Sequence, residues 1–254
     1  LGEGDSEEIV LPKLLSASNV YLDDYNISIV PLGGRHVNHM WKLLNDLSIP
    51  HVTLLDLDRE RNGGGWGRIK YVLNQLNEND RCSEELRTVN EGKEKYIYSI
   101  EEIEDFHNRD VEDIQEMNLW IRKLEKEDVY FSYPLDIDFS MLKNFQHEYQ
   151  STMVHGPRIP EEEESEQYNK KLQGSIEATL KNEAALAKTY SSDEKKLMIW
   201  YNSLFLGRGK PSTHIAALKD VENFTLLDNA PEELLRLIKN VKIKVGVSGG
   251  NYDE

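Results

Sequence analysis

The sequence has almost no cysteine and no long apolar run. Cys82 is the only cysteine among 254 residues, which excludes an internal disulfide framework and is typical of proteins in a reducing cytoplasm. A transmembrane helix needs roughly 18–20 consecutive apolar residues, and no stretch of this chain approaches that length. We therefore expect a cytoplasmic protein that has no membrane partner.

Positive charge is also scarce. The chain has 30 Lys and Arg against 46 Asp and Glu, and its formal net charge is −16 at pH 7. Such a surface repels a nucleic-acid backbone on average, so contact with DNA would need a local basic patch or bridging metal ions. This argues only weakly against a nucleic-acid function, because a metal-dependent nuclease must itself carry acidic ligands. With 39% hydrophobic residues, the chain can bury one large core or two modest ones.

The order of the apolar patterns predicts an α/β fold. The chain lacks an initiator methionine, and LGEGDSEE begins on what reads as the last residue of a strand, so we expect a fragment whose upstream part is missing. A helix (6–16), a strand (27–32), a helix (36–47), a strand (51–58) and a helix (66–78) follow. This alternation predicts a mainly parallel sheet with right-handed crossovers, flanked by helices.

The second half of the chain is mostly helical in pattern. We expect an acidic helical region (101–128), a further strand (129–142), a charged loop (157–167), helices (168–205), a glycine-lined turn followed by a helix (207–221) and a last helix (231–241). The segment 242–250 reads as a strand or a tail.

Two glutamates flank the first predicted strand–helix junction, in GEGDSEE. Glu3 stands at the strand end and Glu7 in the first helical turn, so both can face the crevice at the carboxyl edge of the sheet, where open α/β sheets bind ligands. The alternative is helix capping, with Asp5 or Ser6 as the N-cap and the acids placed there by the helix dipole.

Two aspartates end the apolar run HVTLLDLD. On a regular strand, Asp56 and Asp58 would point to the same side, roughly 6–7 Å apart. Two ionised carboxylates in that position repel each other unless a cation lies between them, and hard cations such as Mg²⁺ or Mn²⁺ prefer oxygen ligands. The alternative is that both acids lie beyond the strand, in solvent.

A second aspartate pair and a lysine stand further along the chain. Asp136 and Asp138 in PLDIDFSML repeat the spacing after a second strand-like run, although the segment could equally be a simple bend. Lys210 lies between Gly209 and Pro211, where glycine allows a phosphate to approach closely, and Arg208 adds positive charge nearby. The alternative for Lys210 is an ordinary exposed turn.

The glycine cluster GGGWGRIK is not a Walker A phosphate-binding loop. No glycine in it is followed by Lys-Ser or Lys-Thr, so we expect these glycines to let the chain turn tightly beside the acidic residues.

Taken together, GEGDSEE, LLDLD, PLDIDFSML and GRGKPSTHIAAL resemble the TOPRIM domain of the OLD-family (overcoming lysogenisation defect) endonucleases. A glutamate followed by a DxD pair is also found in topoisomerases, primases and recombination proteins. The second acidic pair and the Lys-Pro segment point to the OLD branch, which includes the Gabija anti-phage nucleases.

The resemblance implies a nuclease with two bound Mg²⁺ or Mn²⁺ ions, acting on DNA. It implies as metal ligands Glu3, Glu7, Asp56 and Asp58, with Asp136 or Asp138 completing the second site. Lys210 would stabilise charge on the scissile phosphate, and we expect Lys210, Glu3 and Asp56 to be catalytic. Two cations of this kind activate a water and stabilise the leaving oxygen, and they would supply the positive potential that the chain lacks.

The resemblance also implies how the chain is organised. Residues 1–144 would form the first part of a TOPRIM core, 145–204 a helical insertion, and 205–254 the last part of the core. An ATPase domain would precede this region in the same protein, and a homodimer could form through the full-length chain. Two other functions remain open: another TOPRIM enzyme, such as a primase or a topoisomerase-like module, and a non-catalytic acidic interaction domain.

Overall fold

The computed structural model describes residues 1–34, 36–91, 94–160, 162–163, 165–207 and 209–247. Arg208, Glu161 and Glu164 of the predicted charged loop, and residues 248–254 lie outside the described residues. Among the described residues, no helix combines the length and the apolar character that crossing a bilayer requires.

Helices make up most of the described chain. Their bounds are α1 (Asp5–Ala17), α2 (Asn38–Asp46), α3 (Trp66–Glu78), α4 (Glu84–Arg87), α5 (Ile100–Glu104), α6 (Ile114–Glu125), α7 (Ile137–Asn144), α8 (Gln146–Ser151), α9 (Glu166–Leu180), α10 (Ser192–Tyr201), α11 (Lys210–Leu218), α12 (Asn223–Asn229) and α13 (Glu232–Lys244). A short 3₁₀ helix covers Phe106–Asn108, and a π-helical turn, Asn202–Leu206, extends α10.

A small parallel sheet lies at the centre of the fold. Strand β1 (Thr53–Asp56) pairs in parallel with β4 (Val129–Ser132), so that Asp56 lies beside Ser132 at the end of both strands. On the other side of β1, Leu54 N donates to Leu1 O at 2.9 Å, and Gly2 in turn forms a parallel bridge with Pro31. The carboxyl ends of these segments therefore meet at one edge. This confirms the predicted α/β class, although the sheet is smaller than expected.

Four of the predicted elements need correction. The strand predicted over 27–32 is reduced to the bridge at Pro31, where Gly2 N donates to Val30 O and Leu32 N donates to Gly2 O. The strand predicted over 129–142 ends at Ser132, and α7 follows. The acidic region 101–128 is divided between α5, the 3₁₀ turn and α6, and residues 242–244 continue α13. An antiparallel hairpin of β2 (Thr88–Glu91) and β3 (Glu94–Ile97) was not predicted.

Apolar periodicity explains the helices that pack on the sheet. In α3 the buried residues Ile69, Val72, Leu73 and Leu76 recur at the spacing of one helical face. Neighbouring residues of β1 belong to two different hydrophobic cores, as expected for side chains that alternate between the faces of a strand. Leu54 packs in a core with α1, α7 and the predicted insertion, whereas Leu55 packs in a core with α3 and α6. The predicted insertion therefore shares a hydrophobic core with the residues around it.

Gly64 is required by a close approach of two main-chain segments. A Cβ atom at this position would lie 1.8 Å from the carbonyl oxygen of Asp58 and 2.6 Å from its carbon. The neighbouring Gly63 and Gly65 have positive φ angles of 71° and 54°. The glycine cluster thus makes a tight turn against the loop that carries Asp58, as the sequence predicts.

We expect Gly64→Ala to lower the free energy of unfolding by about 1–3 kcal/mol, because main-chain atoms must move to admit the methyl group. Gly67→Ala is the matched control, since a Cβ there meets nothing within 4 Å. It should leave stability unchanged or raise it by up to about 1 kcal/mol through helix propensity. Chemical denaturation of both variants measures the difference, and equal stabilities would contradict this account.

Candidate metal centre

Glu3 and Glu7 lie together at the carboxyl edge of the sheet. The Glu7 carboxylate accepts hydrogen bonds from the Glu3 and Gly4 main-chain N–H groups, at 3.0 and 3.2 Å. Gly4 is the N-cap residue of α1, so the assignment of the cap to Asp5 or Ser6 is wrong, and Glu7 itself satisfies the helix terminus. A Cβ atom at Gly2 would lie only 2.8 Å from the Cβ atom of Glu7, which explains why the first residue of GEGDSEE is a glycine.

Asp56 ends β1 next to these glutamates. Its main-chain N–H donates to Glu3 Oε1 at 3.0 Å, and its Oδ1 accepts from Ser132 Oγ at 2.8 Å and from Ile137 N at 3.3 Å. Oδ2 of Asp56 accepts no hydrogen bond from any residue that the structure describes. One face of this carboxylate thus remains available for another partner.

Asp58 lies near the same acidic residues, but it is in a loop and not in the predicted strand. The strand stops at Asp56, and Asp58 has a φ of 52°, so the same-side argument for a regular strand does not apply to it. Glu60 also lies in the left-handed region, with φ of 64°. Such conformations cost of order 1–3 kcal/mol each for residues other than glycine and persist only where the surroundings hold them.

Two arginines that the sequence analysis missed compensate Asp58. Arg61 Nη1 lies 2.6 Å from Asp58 Oδ1, and Arg68 contacts Asp58 Oδ2. Arg68 Nη1 is also 3.1 Å from Glu3 Oε1. The two arginines are visible in RERNGGGWGR: Arg68 is in the first turn of α3, and a turn closed by the hydrogen bond from Arg61 N to Asp58 O, at 2.9 Å, brings Arg61 back to Asp58.

Asp136 and Asp138 belong to the start of α7 rather than to a strand. Asp136 is the N-cap: its Oδ1 accepts from Phe139 N at 2.9 Å, and this preference of aspartate for the N-cap is the physical reason for the correction. Its Oδ2 accepts from Tyr201 Oη at 2.5 Å and lies 3.4 Å from Arg61 Nη1. Tyr201 belongs to the predicted insertion, so the predicted core and the predicted insertion both contribute side chains to the acidic cluster.

Asp138 is fully buried and holds Lys210. Its Oδ1 accepts from Ser6 Oγ at 2.6 Å and lies 2.9 Å from His214 Nε2, while its Oδ2 is 2.5 Å from Lys210 Nζ. Because a carboxylate can only accept, His214 donates through Nε2; Nδ1 then faces Tyr149 Oη at 2.6 Å. Lys210 opens α11 instead of lying in a free turn, and its side chain is 44% exposed.

The six carboxyl groups divide into two classes by their pKa. Burial raises the pKa of Glu3, Glu7, Asp56 and Asp136, that of Glu7 to about 7, and neighbouring carboxylates raise the pKa of Asp56 further. Burial would also raise the pKa of Asp58, but Arg61 and Arg68 lower it below its usual value.

The pKa of Asp138, like that of Asp58, is lowered. Burial alone would raise its pKa, but the hydrogen bond from His214 and the charge of Lys210 bring it down to about 2. The pKa of Lys210 rises in turn, since the charges of Asp138 and Asp136 outweigh the effect of burial. Asp58 and Asp138 are therefore charged and paired, whereas the other four carboxyls have too little compensating charge.

The donor set fits a hard divalent cation. Carboxylate oxygens are the ligands that Mg²⁺ and Mn²⁺ prefer, and burial raises the pKa of Asp56 and, in spite of Arg68, that of Glu3, so a further positive charge would favour their ionised forms. Within the described residues, however, no three acidic, histidine or cysteine side chains lie close enough together to hold an ion as they stand. Arg61, Arg68 and Lys210 occupy part of the space between the acids, so binding of an ion would require these side chains to shift.

We expect Asp56→Asn to stabilise the chain at pH 8 in EDTA relative to the wild type. A carboxyl whose pKa is raised on folding stabilises the fold below its unfolded pKa. This contribution is lost as pH rises through the folded pKa, by about 1.4 kcal/mol for each pH unit that separates the folded and unfolded pKa values. The asparagine keeps the Oδ1 acceptor for Ser132 and Ile137 and has no charge to lose.

Thermal unfolding from pH 5 to pH 8 measures this effect. The wild type should lose stability across the range, because burial raises the pKa of Glu7 to about 7 and raises that of Asp56 well above its usual value, so that the unfolded chain ionises more readily than the folded one as the pH rises. The advantage of the asparagine variant should shrink toward pH 5. A constant difference at all pH values would show that the charge of Asp56 is not the cause.

Comparison with known proteins concerns the family of the first part of the chain and the fold of the whole. Residues 1–58 match the family model described as the TOPRIM domain of overcoming lysogenization defect protein-like proteins. That segment contains Glu3, Glu7, Asp56 and Asp58 and ends before Asp136, Asp138 and Lys210. TOPRIM domains generally bind divalent metal ions. No curated protein gives a significant match to the chain.

Two solved structures, both of the C-terminal region of the OLD protein from Xanthomonas campestris pv. campestris, are similar along nearly the whole chain. The structure phased with mercury is 17% identical with a TM-score of 0.52, and covers 98% of this chain and 96% of its own. The structure phased with platinum is 17% identical with a TM-score of 0.50, and covers 97% and 92%. At this identity the likeness concerns the fold. Residues 1–58 therefore match the OLD-like TOPRIM domain, and the chain as a whole has a fold similar to that of the C-terminal region of an OLD protein.

Proposed function

We propose that this chain is a metal-dependent endonuclease that nicks or cleaves DNA with two Mg²⁺ or Mn²⁺ ions. The TOPRIM match supports a nuclease-like fold. The observation that carries the proposal is the convergence of six carboxylates and one lysine, from four separate parts of the chain, at the carboxyl edge of the sheet. A cluster kept only for stability would not bury four carboxyls in one region where burial and neighbouring carboxylates raise their pKa, because both effects oppose the charged form and destabilise the fold.

The four carboxyls with raised pKa are the best candidates to hold the ions, namely Glu3, Glu7, Asp56 and Asp136. Asp58 would join them where Arg61 or Arg68 withdraws. Asp138 is engaged by three partners, and we assign it to the lysine rather than to an ion. Ions held by these residues would supply Lewis-acid activation of a water and positive charge at the scissile phosphate.

Among the cations of the cluster that the structure describes, Lys210 is the one that can reach a substrate. Its side chain is 44% exposed, whereas those of Arg61 and Arg68 are 11% and 7% exposed. The buried Asp138 carboxylate holds the ammonium group at the edge of the site, and Ser6 and His214 hold Asp138 in turn. Lys210 would therefore contact a phosphate oxygen, which also answers the repulsion expected from a net charge of −16. ATP dependence would belong to an upstream domain, since no Walker A sequence occurs here.

A plasmid-nicking assay on the 254-residue chain tests this function. We expect supercoiled DNA to be converted to the nicked or linear form in Mg²⁺ or Mn²⁺, and no conversion in EDTA. Asp56→Ala and Lys210→Ala should each lower the rate by at least about 10²-fold, the range that loss of an electrostatic contact to the transition state produces.

Matched controls are Asp46→Ala and Lys239→Ala, which remove exposed charges of the same types outside the cluster and should retain the wild-type rate. Unaltered cleavage by pure, folded Asp56→Ala protein would refute the mechanism. Thermal unfolding with Mn²⁺ distinguishes a metal-dependent enzyme from a non-catalytic acidic interaction domain. A ligand that binds the folded state must stabilise it, so an unfolding temperature of the wild type that Mn²⁺ does not change would favour the interaction domain.

A further inference from the structure

Three consecutive residues after Asp58 are attached to the predicted helical insertion. Arg59 Nη2 donates to Thr189 O at 2.6 Å. Glu60 Oε1 accepts from Thr189 N at 2.7 Å and from Thr189 Oγ1 at 2.6 Å, and Glu60 Oε2 accepts from Lys188 N at 3.1 Å. Arg61 Nε donates to Thr179 O at 2.9 Å. In the loop from Asp58 to Arg61, the side chains of Arg59, Glu60 and Arg61 therefore all hydrogen-bond to the insertion.

The Glu60 carboxylate is the centre of this attachment. It accepts three hydrogen bonds from two adjacent residues of the insertion, two of them from main-chain N–H groups, and hydrogen bonds to an ionised acceptor are stronger than neutral ones. Glu60 makes no contact with the acidic cluster among the described residues, and the proposed chemistry does not use it.

The main chain of this loop needs support from outside. Asp58 and Glu60 both have positive φ, which residues other than glycine adopt only where neighbouring contacts hold them. Arg59, between them, is held on both its side chain and its main chain: its guanidinium lies 4.9 Å from the centre of the Tyr190 ring, and Tyr190 Oη donates to Arg59 O at 2.8 Å. On the other side, Asp58 N and Arg59 N donate to Leu135 O and Pro134 O at 2.8 and 3.0 Å.

The direction of the Asp58 carboxylate depends on this conformation. Arg61, the last residue of the loop, reaches both Asp58 and Asp136, so a displaced loop would move one charge of the cluster and its counter-ion together. We propose that Glu60 is a positioning residue for Asp58, acting through its hydrogen bonds to Lys188 and Thr189, and that the helical insertion thereby sets the geometry of the metal centre. The catalytic part of this inference rests on the proposed function.

Hydrogen–deuterium exchange of the 254-residue chain tests the positioning without requiring activity. In Glu60→Ala, the amides of Asp58, Arg59 and Arg61 should exchange at least tenfold faster than in the wild type, in addition to those of Lys188 and Thr189. Faster exchange at Lys188 and Thr189 alone would overturn the proposal, because the contact would then be a surface link that positions nothing. Glu183→Ala, which removes an exposed acid from the same segment of the insertion, is the control and should match the wild type.

Cleavage kinetics test the catalytic consequence. Glu60→Ala should lower kcat for Mn²⁺-dependent nicking at least tenfold and change KM for the plasmid less than twofold, since the Glu60 carboxylate is already engaged by Lys188 and Thr189. Glu60→Gln retains one acceptor for Thr189 but presents an NH₂ group to Lys188 N–H, so its kcat should be intermediate. An unchanged kcat in Glu60→Ala would overturn the proposal.

Two further results keep the tests separate. If the wild type does not nick DNA, the proposed function fails, and the exchange data alone decide the positioning role. If Glu60→Ala does not fold, Thr189→Val takes its place, because it removes only the Oγ1 hydrogen bond; exchange at Asp58 and Arg59 should then rise by a smaller factor, and no rise would overturn the proposal.

Discussion

Repulsion among buried carboxylates is the constraint on which the rest of this structure depends. The carboxyl ends of parallel segments meet at one edge of the sheet, and there Glu3, Glu7 and Asp56 come together with little water to screen them. Basic side chains from outside the sheet compensate part of this charge: Arg61 and Arg68 pair with Asp58, and Lys210 pairs with Asp138. The four carboxyls that remain undercompensated are the reason to place divalent ions here.

The helical segment between residues 145 and 204 contributes to the site as well as to the core. Tyr201 donates to Asp136, and Tyr149 contacts the imidazole that holds Asp138. The same segment shares its hydrophobic core with α1 and α7. An element that packs into the core and also hydrogen-bonds to the acidic side chains can fix their positions, which an appended domain with a separate core could not do.

Sequence reasoning reached the acidic residues because strand ends and helix starts have local signals. GEGDSEE and LLDLD each combine an apolar run with acids at its end, and the structure brings Glu3, Glu7 and Asp56 to one place. It was wrong about the local geometry of Asp58 and of the pair Asp136 and Asp138. In both cases a regular strand was extended too far: past Asp56 the chain turns into the left-handed region, and after Ser132 it turns to begin a helix that Asp136 caps.

The sequence by itself determined the α/β class, the main helices and the acidic residues near the strand ends, because these follow from periodicity and residue type over short distances. The role expected of Lys210 came from the family resemblance. Only the tertiary structure decided which acids are paired and which are not. Arg68 lies ten positions from Asp58 in the chain, while Tyr201 lies 65 positions from Asp136 and Lys188 lies 128 from Glu60. No local pattern encodes such pairings, since they arise from the way the sheet, the glycine turn and the helical segment pack against one another.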